Sequence, residues 1–302
     1  MSCIDMNKSN RQSDNRWKRT LISLSSAGKS AFALDLDLTL FSHRIIYEET
    51  QQTGFYEKDI SFLMISLLKP GDMVIDVGAH IGYFTLLAGS LVEESGRVFS
   101  FEPIEENRKR LMHQVGINGL TNAILYPDVV GDQNGKTTFF YNEDNDGGHA
   151  IWDVSRHPFN EKTKRAPRLL SLPIVRLDDF FNPDALSKLK MIKIDTEGNE
   201  LNVLAGARHL IDTHRVKCIA CELNRYGLKQ MGHSERQLRG FMYDLDYETL
   251  AYFNDRLRVL TPDQYLKADA VLNLFFMPKE FIQGFRSPEH QCTGYHRKNQ
   301  EN

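Results

Sequence analysis

No apolar run in this sequence approaches the roughly 20 residues that a membrane-spanning helix needs. The stretch from Phe62 to Leu68 is typical of the longest. A one-sided charge is missing too. Lys and Arg number 37 against 40 Asp and Glu, a formal net charge of -3, so nothing global points to nucleic acid or to an anionic membrane. Cysteine is scarce, with 4 in 302 residues. Cys218 and Cys221 have CxxC spacing, but no second pair completes a zinc site. They lie in the apolar run VKCIACEL, which reads as a strand, where residues at this spacing face opposite sides. Buried, unreactive thiols in a reducing compartment are expected. The apolar pair Leu21 and Ile22 is too brief for a signal peptide, and Asp5 and Asp14 argue against a transit peptide. The expected location is therefore cytoplasmic. No internal repeat is visible.

What is present is an ordinary globular composition, 41% hydrophobic and 25% charged. Residues 1–17 read as a disordered polar tail, 18–56 as an N-terminal hairpin extension, 57–282 as the main domain and 283–302 as a second polar tail. Within the main domain, helical and strand patterns alternate. EKDISFLMISLLK (57–69) reads as a helix, DMVIDVG (72–78) as a strand, YFTLLAGSLVEE (83–94) as a helix and RVFSFEP (97–103) as a strand. NAILYPDVV (122–130) reads as a third strand, with KTTFFY (136–141) as its hairpin partner across Asn134-Gly135. LPIVRL, KMIKID and VKCIACEL follow as strands, separated by helical segments. YETLAYF and DAVLNLFFM close the domain as an antiparallel pair. Such alternation builds a mostly parallel α/β sheet with helices on both faces, and its ligands bind beyond the carboxyl ends of the strands.

The first of those ends reads Asp76-Val-Gly78-Ala-His80-Ile-Gly82. The tight glycine pair of a GxGxxG nucleotide loop is absent. The two glycines still let backbone and ligand approach closely. The next strand ends in Glu102, where a carboxylate can accept hydrogen bonds from both ribose hydroxyls of an adenosine-type cofactor.

VIDVGAHIGYFTLLAG followed by VFSFEPIEEN is similar to the S-adenosylmethionine-binding core of class I methyltransferases. PDVVGDQNGKTTFF, PIVRLDDF, KIDTEGNELNVLAGA, CELN and NLFFMP extend the likeness over roughly residues 55–280. With these motifs in this order, the sequence resembles the FkbM family. The resemblance implies a Rossmann-like, mostly parallel seven-stranded sheet with a final antiparallel hairpin, and S-adenosylmethionine as cofactor. It implies O-methylation of a hydroxyl on a sugar, glycan or natural product. Transfer to nitrogen or protein, or a non-catalytic cofactor-binding module, are the alternatives. Asp76, Gly78 and Gly82 match the cofactor loop, in which His80 lies where Asn is also common in the family and is a candidate contact to the methionine part of the cofactor; Glu102 matches the ribose acid, and Asp128 and Val129 the adenine edge. Asp195, Glu197 and Glu222, at the ends of adjacent strands, are expected to converge as acceptor-orienting groups or base. They leave a divalent cation open without requiring one, so no metal ligand is assigned. His149, in the long polar loop 144–168, is a second candidate base, and Trp152 a candidate site residue.

One stretch suggests other chemistry. SSAGKSAFALDLDLTLF (25–41) contains Gly-Lys-Ser and a DxDxT pattern. A phosphate loop needs glycine where Ser23 stands, so that reading is rejected. A phosphatase would need further acids on later strands of its own sheet, and too few residues intervene before the strand at 72. Leucines alternating with Asp35, Asp37 and Thr39 fit a half-buried antiparallel strand, with HRIIYEE as its return partner.

Overall fold

A computed structural model describes residues 16–253, 256–264, 266 and 271–282. The two expected tails lie outside the described residues, apart from Arg16 and Trp17.

The N-terminal segment is a hairpin of β1 (Trp17–Ile22) and β2 (Phe32–Asp37), then α1 (Phe41–Thr53) and α2 (Lys58–Leu67). The first half of the central unit runs β3 (Met73–Val77), α3 (Tyr83–Val92), β4 (Arg97–Phe101), α4 (Glu105–Ile117) and β5 (Ala123–Tyr126). An insertion follows: β6 (Val129–Val130), β7 (Gly135–Tyr141), α5 (Glu161–Arg165), β8 (Arg168–Val175) and α6 (Leu177–Phe180). The second half has β9 (Leu189–Ile194), α7 (Glu200–Gly206), α8 (Arg208–His214), β10 (Cys218–Leu223), α9 (Arg225–Gln230) and α10 (Glu235–Tyr243). It closes with β11 (Tyr247–Phe253), β12 (Arg256–Leu260), β13 (Leu272–Pro278) and α11 (Lys279–Ile282).

The main sheet has 8 strands in the order β12-β11-β13-β10-β9-β3-β4-β5. The five from β10 to β5 run parallel, β13 inserts antiparallel between β10 and β11, and β11 again follows the direction of the five. The expected seven-stranded sheet is present, and β12 adds an edge strand beyond it. From β3 the chain winds outward through β4 and β5, then returns to β9 on the other side of β3. That reversal opens a crevice at the carboxyl ends of β3 and β9.

The strands are apolar on both sides because helices cover both faces. On β3, Ile75 and Val77 enter one core cluster and Val74 the other. Cys221 and Cys218 divide the same way on β10, both fully buried and free. The hairpin shares the second cluster: Ile22, Phe32, Leu34 and Leu36 pack with Ile81, Tyr83 and Leu86. Among the described residues, no helix is long and apolar enough to cross a membrane.

The structure corrects three sequence readings. First, HRIIYEE is helical: it lies in α1, which buries His43, Ile46 and Thr50 at helical spacing, and β2 pairs instead with the upstream β1. Second, 122–130 is not one strand. Pro127 has no N–H to give to the ladder, so β5 ends at Tyr126, and Val129–Val130 leave to pair with β8. Third, β7 pairs antiparallel with β8 and not with 122–130. The 3-stranded sheet β6-β8-β7 is therefore separate from the main one. The acids of the DxDxT stretch are structural. Asp35 takes both hydrogen bonds of Arg19 at 2.6 and 2.7 Å, which, against burial, hold it near a pKa of about 2. Asp37 pairs with Arg16.

Candidate active site

The crevice is a cavity floored by the turn after β3. Gly78, at φ +76°, lies so close to β9 that a Cβ would stand 1.8 Å from the carbonyl oxygen of Asp195. The amides of Gly78 and Ala79 both donate to Phe101 O at 3.0 Å. The His80 amide donates to Glu102 Oε2 at 2.8 Å, and the Ile104 amide to Glu102 Oε1 at 2.9 Å. The loop's N–H groups are thus turned toward β4 and do not form a phosphate cradle. Each Glu102 oxygen keeps a second acceptor site, and Glu102 lines the cavity with Asp128 and Val129. Burial pushes its carboxyl up, opposed by His80 and the two amides.

Two expected loop residues stand behind this surface. Gly82 begins α3 at φ +95°, and its missing Cβ makes room for Leu111 Cδ1. Asp76 is fully buried, accepts from Thr85 Oγ1 at 2.7 Å and lies 3.7 Å from Lys193 Nζ.

One wall is a latch between the N-terminal segment and the insertion. Asp146 accepts from the Ser42 amide at 3.0 Å and from Ser42 Oγ, and lies 3.3 Å from His80 Nε2. Burial opposes its charge, yet His80 and Ser42 hold the carboxyl well below the usual range. His43 points Nε2 at the same carboxylate, 3.8 Å away. Because the Asp37 amide donates to His43 Nδ1, the ring hydrogen sits on Nε2. Although His43, His80 and Asp146 cluster closely, His43 in this tautomer has no lone pair for a metal.

The same logic reassigns His149. It lines the cavity, as the sequence suggests. However, its Nδ1 accepts the Asn142 amide at 2.9 Å, and its Nε2 is buried without a partner. The free nitrogen is therefore a donor. Burial, then His80, lower the pKa to about 3. The geometry suits a hydrogen-bond donor and not a base. Trp152 acts at one remove: its Nε1–H donates to Glu197 O at 2.6 Å.

The opposite end is acidic. Carboxylate oxygens of Asp195, Glu197 and Glu222 lie within 4.8 Å of one another, a spacing a divalent cation could bridge. Glu57 and Lys193 join them in the lining. Lys193 Nζ donates to Gly78 O at 3.0 Å and to Asp195 Oδ2 at 3.1 Å. Burial works against its charge, but Asp195, Asp76 and Glu57 hold it above the usual lysine range. Glu222 has a buried, unpartnered Oε2, and burial followed by Asp195 and Glu197 raises its carboxyl strongly. Glu197, bonded by Asn224 Nδ2 at 2.6 Å, is pushed by burial and by Asp195 up to about 8. Glu57, His80 and Glu197 all have left-handed backbones, so strain concentrates at this cavity.

The Glu197 shift has a sign that can be measured. Its folded value, about 8, exceeds the ordinary glutamate value of 4.5, so the folded chain holds a proton the unfolded chain releases. The resulting stability is present below about pH 4.5 and lost as pH rises through about 8. Glu197→Gln is expected to flatten the decline in melting temperature between about pH 4.5 and 8, and to raise it by roughly 5 °C at the upper end. Thermal scans of both proteins across that range check this.

Sequence reasoning does not reach Glu57, Ser42, Asp146 or Lys193. Lys193 alone carries a local signal, a lysine on a central strand, which must find buried acids.

A family model described as Methyltransferase FkbM domain matches residues 76–249, more than half of the chain. The chain belongs to the FkbM methyltransferase family. This FkbM-family chain is 28% identical over 160 residues to 2-O-methyltransferase NoeI of Sinorhizobium fredii, covering 50% of this chain and 64% of NoeI. It is 26% identical over 178 residues to 31-O-demethyl-FK506 methyltransferase FkbM of Streptomyces tacrolimicus, covering 52% of this chain and 67% of that one. The match to NoeI therefore spans just under two thirds of NoeI's length. Among solved structures, methyltransferase FkbM from Methylobacillus flagellatus KT aligns at 20% identity and a TM-score of 0.42, over 69% of this chain and 43% of that one.

Proposed function

We propose that the protein transfers a methyl group from S-adenosylmethionine to a hydroxyl of a sugar, glycan or natural product. The observation that carries this reading is the lining of the cavity. Glu57, Glu102, Asp128, Asp195, Glu197 and Glu222 face a single lysine, and the floor amides are already spent on β4. Even with Glu197 and Glu222 protonated, the remaining acids outnumber the lysine, so the cavity disfavours phosphate and suits an adenosine cofactor of positive charge. Glu102 would hold the ribose, Asp128 would accept from the adenine amine, and the acids beyond Gly78 would face the sulfonium end. The similarity to 2-O-methyltransferase NoeI and 31-O-demethyl-FK506 methyltransferase FkbM, both O-directed by name, supports a hydroxyl acceptor.

When bound, the cofactor supplies an activated methyl group. The chain's own part is to hold the acceptor oxygen and take its proton. Asp195 is the acid with an ammonium in contact, and it accepts the hydroxyl proton in this scheme. Glu222 and Glu197, raised by burial, retain protons and orient the acceptor's oxygens by hydrogen bonds.

Calorimetric titration tests the cofactor. Saturable binding of S-adenosylmethionine is expected, with none of NAD or ATP. Glu102→Ala removes two hydrogen bonds to a charged acceptor and should weaken binding roughly 100-fold. Binding of NAD or ATP in its place would overturn the reading.

A further inference from the structure

Glu57 stands at the start of α2, where an acid is ordinarily explained as a helix cap. The structure removes that explanation. Its side chain makes no capping hydrogen bond, and its backbone is left-handed at φ 39°, a conformation that a residue with a Cβ adopts at a cost. Glutamate is a poor choice for that backbone, and glycine would be the cheap one.

The surrounding chain holds this corner in place. The Tyr56 amide donates to Tyr83 OH at 3.0 Å, Ser61 Oγ donates to Tyr56 O at 2.6 Å, and the Glu57 amide donates to Glu49 Oε2 at 2.9 Å. The carboxylate that results is oriented from two sides, by Asn273 Nδ2 at 2.8 Å and by the Tyr56 side chain. It lines the cavity on the same side as Asp195 and Glu222. The same N-terminal segment also supplies the cavity rim with Phe41 and Ile45, which are 47% and 36% exposed despite being large and apolar. Glu57, Phe41 and Ile45 all lie outside 76–249, the part that matches the family.

We infer that Glu57 is an acceptor-binding residue: it takes a hydrogen bond from a hydroxyl of the acceptor, whose apolar flank lies on Phe41 and Ile45. This rests on the methyl-transfer reading above. It assigns acceptor choice to residues 41–57, outside the family core, and fits an acceptor with hydroxyls on one side and C–H groups on the other, as in a pyranose ring.

The test uses the full chain with Glu57→Gln and Glu57→Gly. Tritiated S-adenosylmethionine is the methyl source, and a panel of methyl glycosides supplies the acceptors. For any glycoside the wild type methylates, both variants should lose at least 50-fold in kcat/KM, mainly through KM, with cofactor affinity changed less than twofold. Because glycine suits the left-handed backbone, Glu57→Gly should melt at the wild-type temperature or above it. Unchanged kcat/KM, or a clear fall in the melting temperature of Glu57→Gly, would overturn the inference. If the wild type methylates no glycoside, the acceptor reading fails first. The melting comparison still decides whether Glu57 is kept for the fold or for a ligand.

Discussion

Asp195→Asn should lower the turnover number by roughly 10²–10⁴-fold while leaving cofactor affinity within a few-fold. The substitution keeps the shape of the side chain and removes its capacity to take a proton. Asp195 follows the last residue of β9, and its amide donates to Val77 O at 3.1 Å, so the backbone that carries it is tied to the strand before the cofactor loop. Lys193 holds one carboxylate oxygen at 3.1 Å, which fixes the side chain against the cavity. An acceptor oxygen must approach the methyl carbon in line, within about 3 Å, and lose its proton as the new bond forms. Among the three clustered acids, Glu197 and Glu222 are pushed upward by burial and by the charge of Asp195, which suits them to donate. Steady-state kinetics beside calorimetry separates the two roles. A fall in turnover with intact cofactor binding marks Asp195 as the proton acceptor. A fall in binding alone would make it a cofactor ligand and shift the proton to another group.

The parts legible in the sequence were those set by short-range pattern. The strand, loop and helix around Gly78, and Glu102 at the next strand end, are local signals. The convergence of Asp195, Glu197 and Glu222 follows from neighbouring parallel strands, and β9 and β10 are such neighbours. What local pattern does not carry is pairing and tautomer. Val129 and Val130 look continuous with β5 until Pro127 is weighed as a missing donor. His149 looks like a base until the Asn142 amide is seen to occupy its Nδ1. Glu57 was illegible because its partner, Asn273, lies 216 residues away, and no local pattern distinguishes a helix-starting acid from a cavity acid. The histidine of the latch is similar: His43 reads as part of a β-branched strand because Ile45 and Ile46 follow it, while tertiary burial at helical spacing decides otherwise.

Gly78→Ala is expected to be the most damaging single methyl group that can be added to this site. The new carbon would stand 1.8 Å from Asp195 O and 3.0 Å from the carbon behind it. Both are backbone atoms of β9's end and cannot swing aside as a side chain would. The left-handed φ of +76° adds strain of its own. Relief requires β3 and β9 to separate at their carboxyl ends, where Lys193 now bridges Gly78 O and Asp195. A cost above about 4 kcal/mol is expected, as for other enforced overpacking of buried backbone, which lowers the melting temperature by roughly 10 °C or more. Cofactor binding should be lost with it, because the same movement displaces the loop from Glu102. Gly116→Ala is the matching control. That glycine lies within α4 with nothing within 4 Å of its added carbon, and alanine there should stabilise by about 0.5–1 kcal/mol. Melting curves and calorimetry on the two variants carry the comparison. A stable Gly78→Ala that still binds the cofactor would mean that the turn after β3 does not lie against β9 as drawn, and the arrangement of acids built on that contact would have to be redrawn with it.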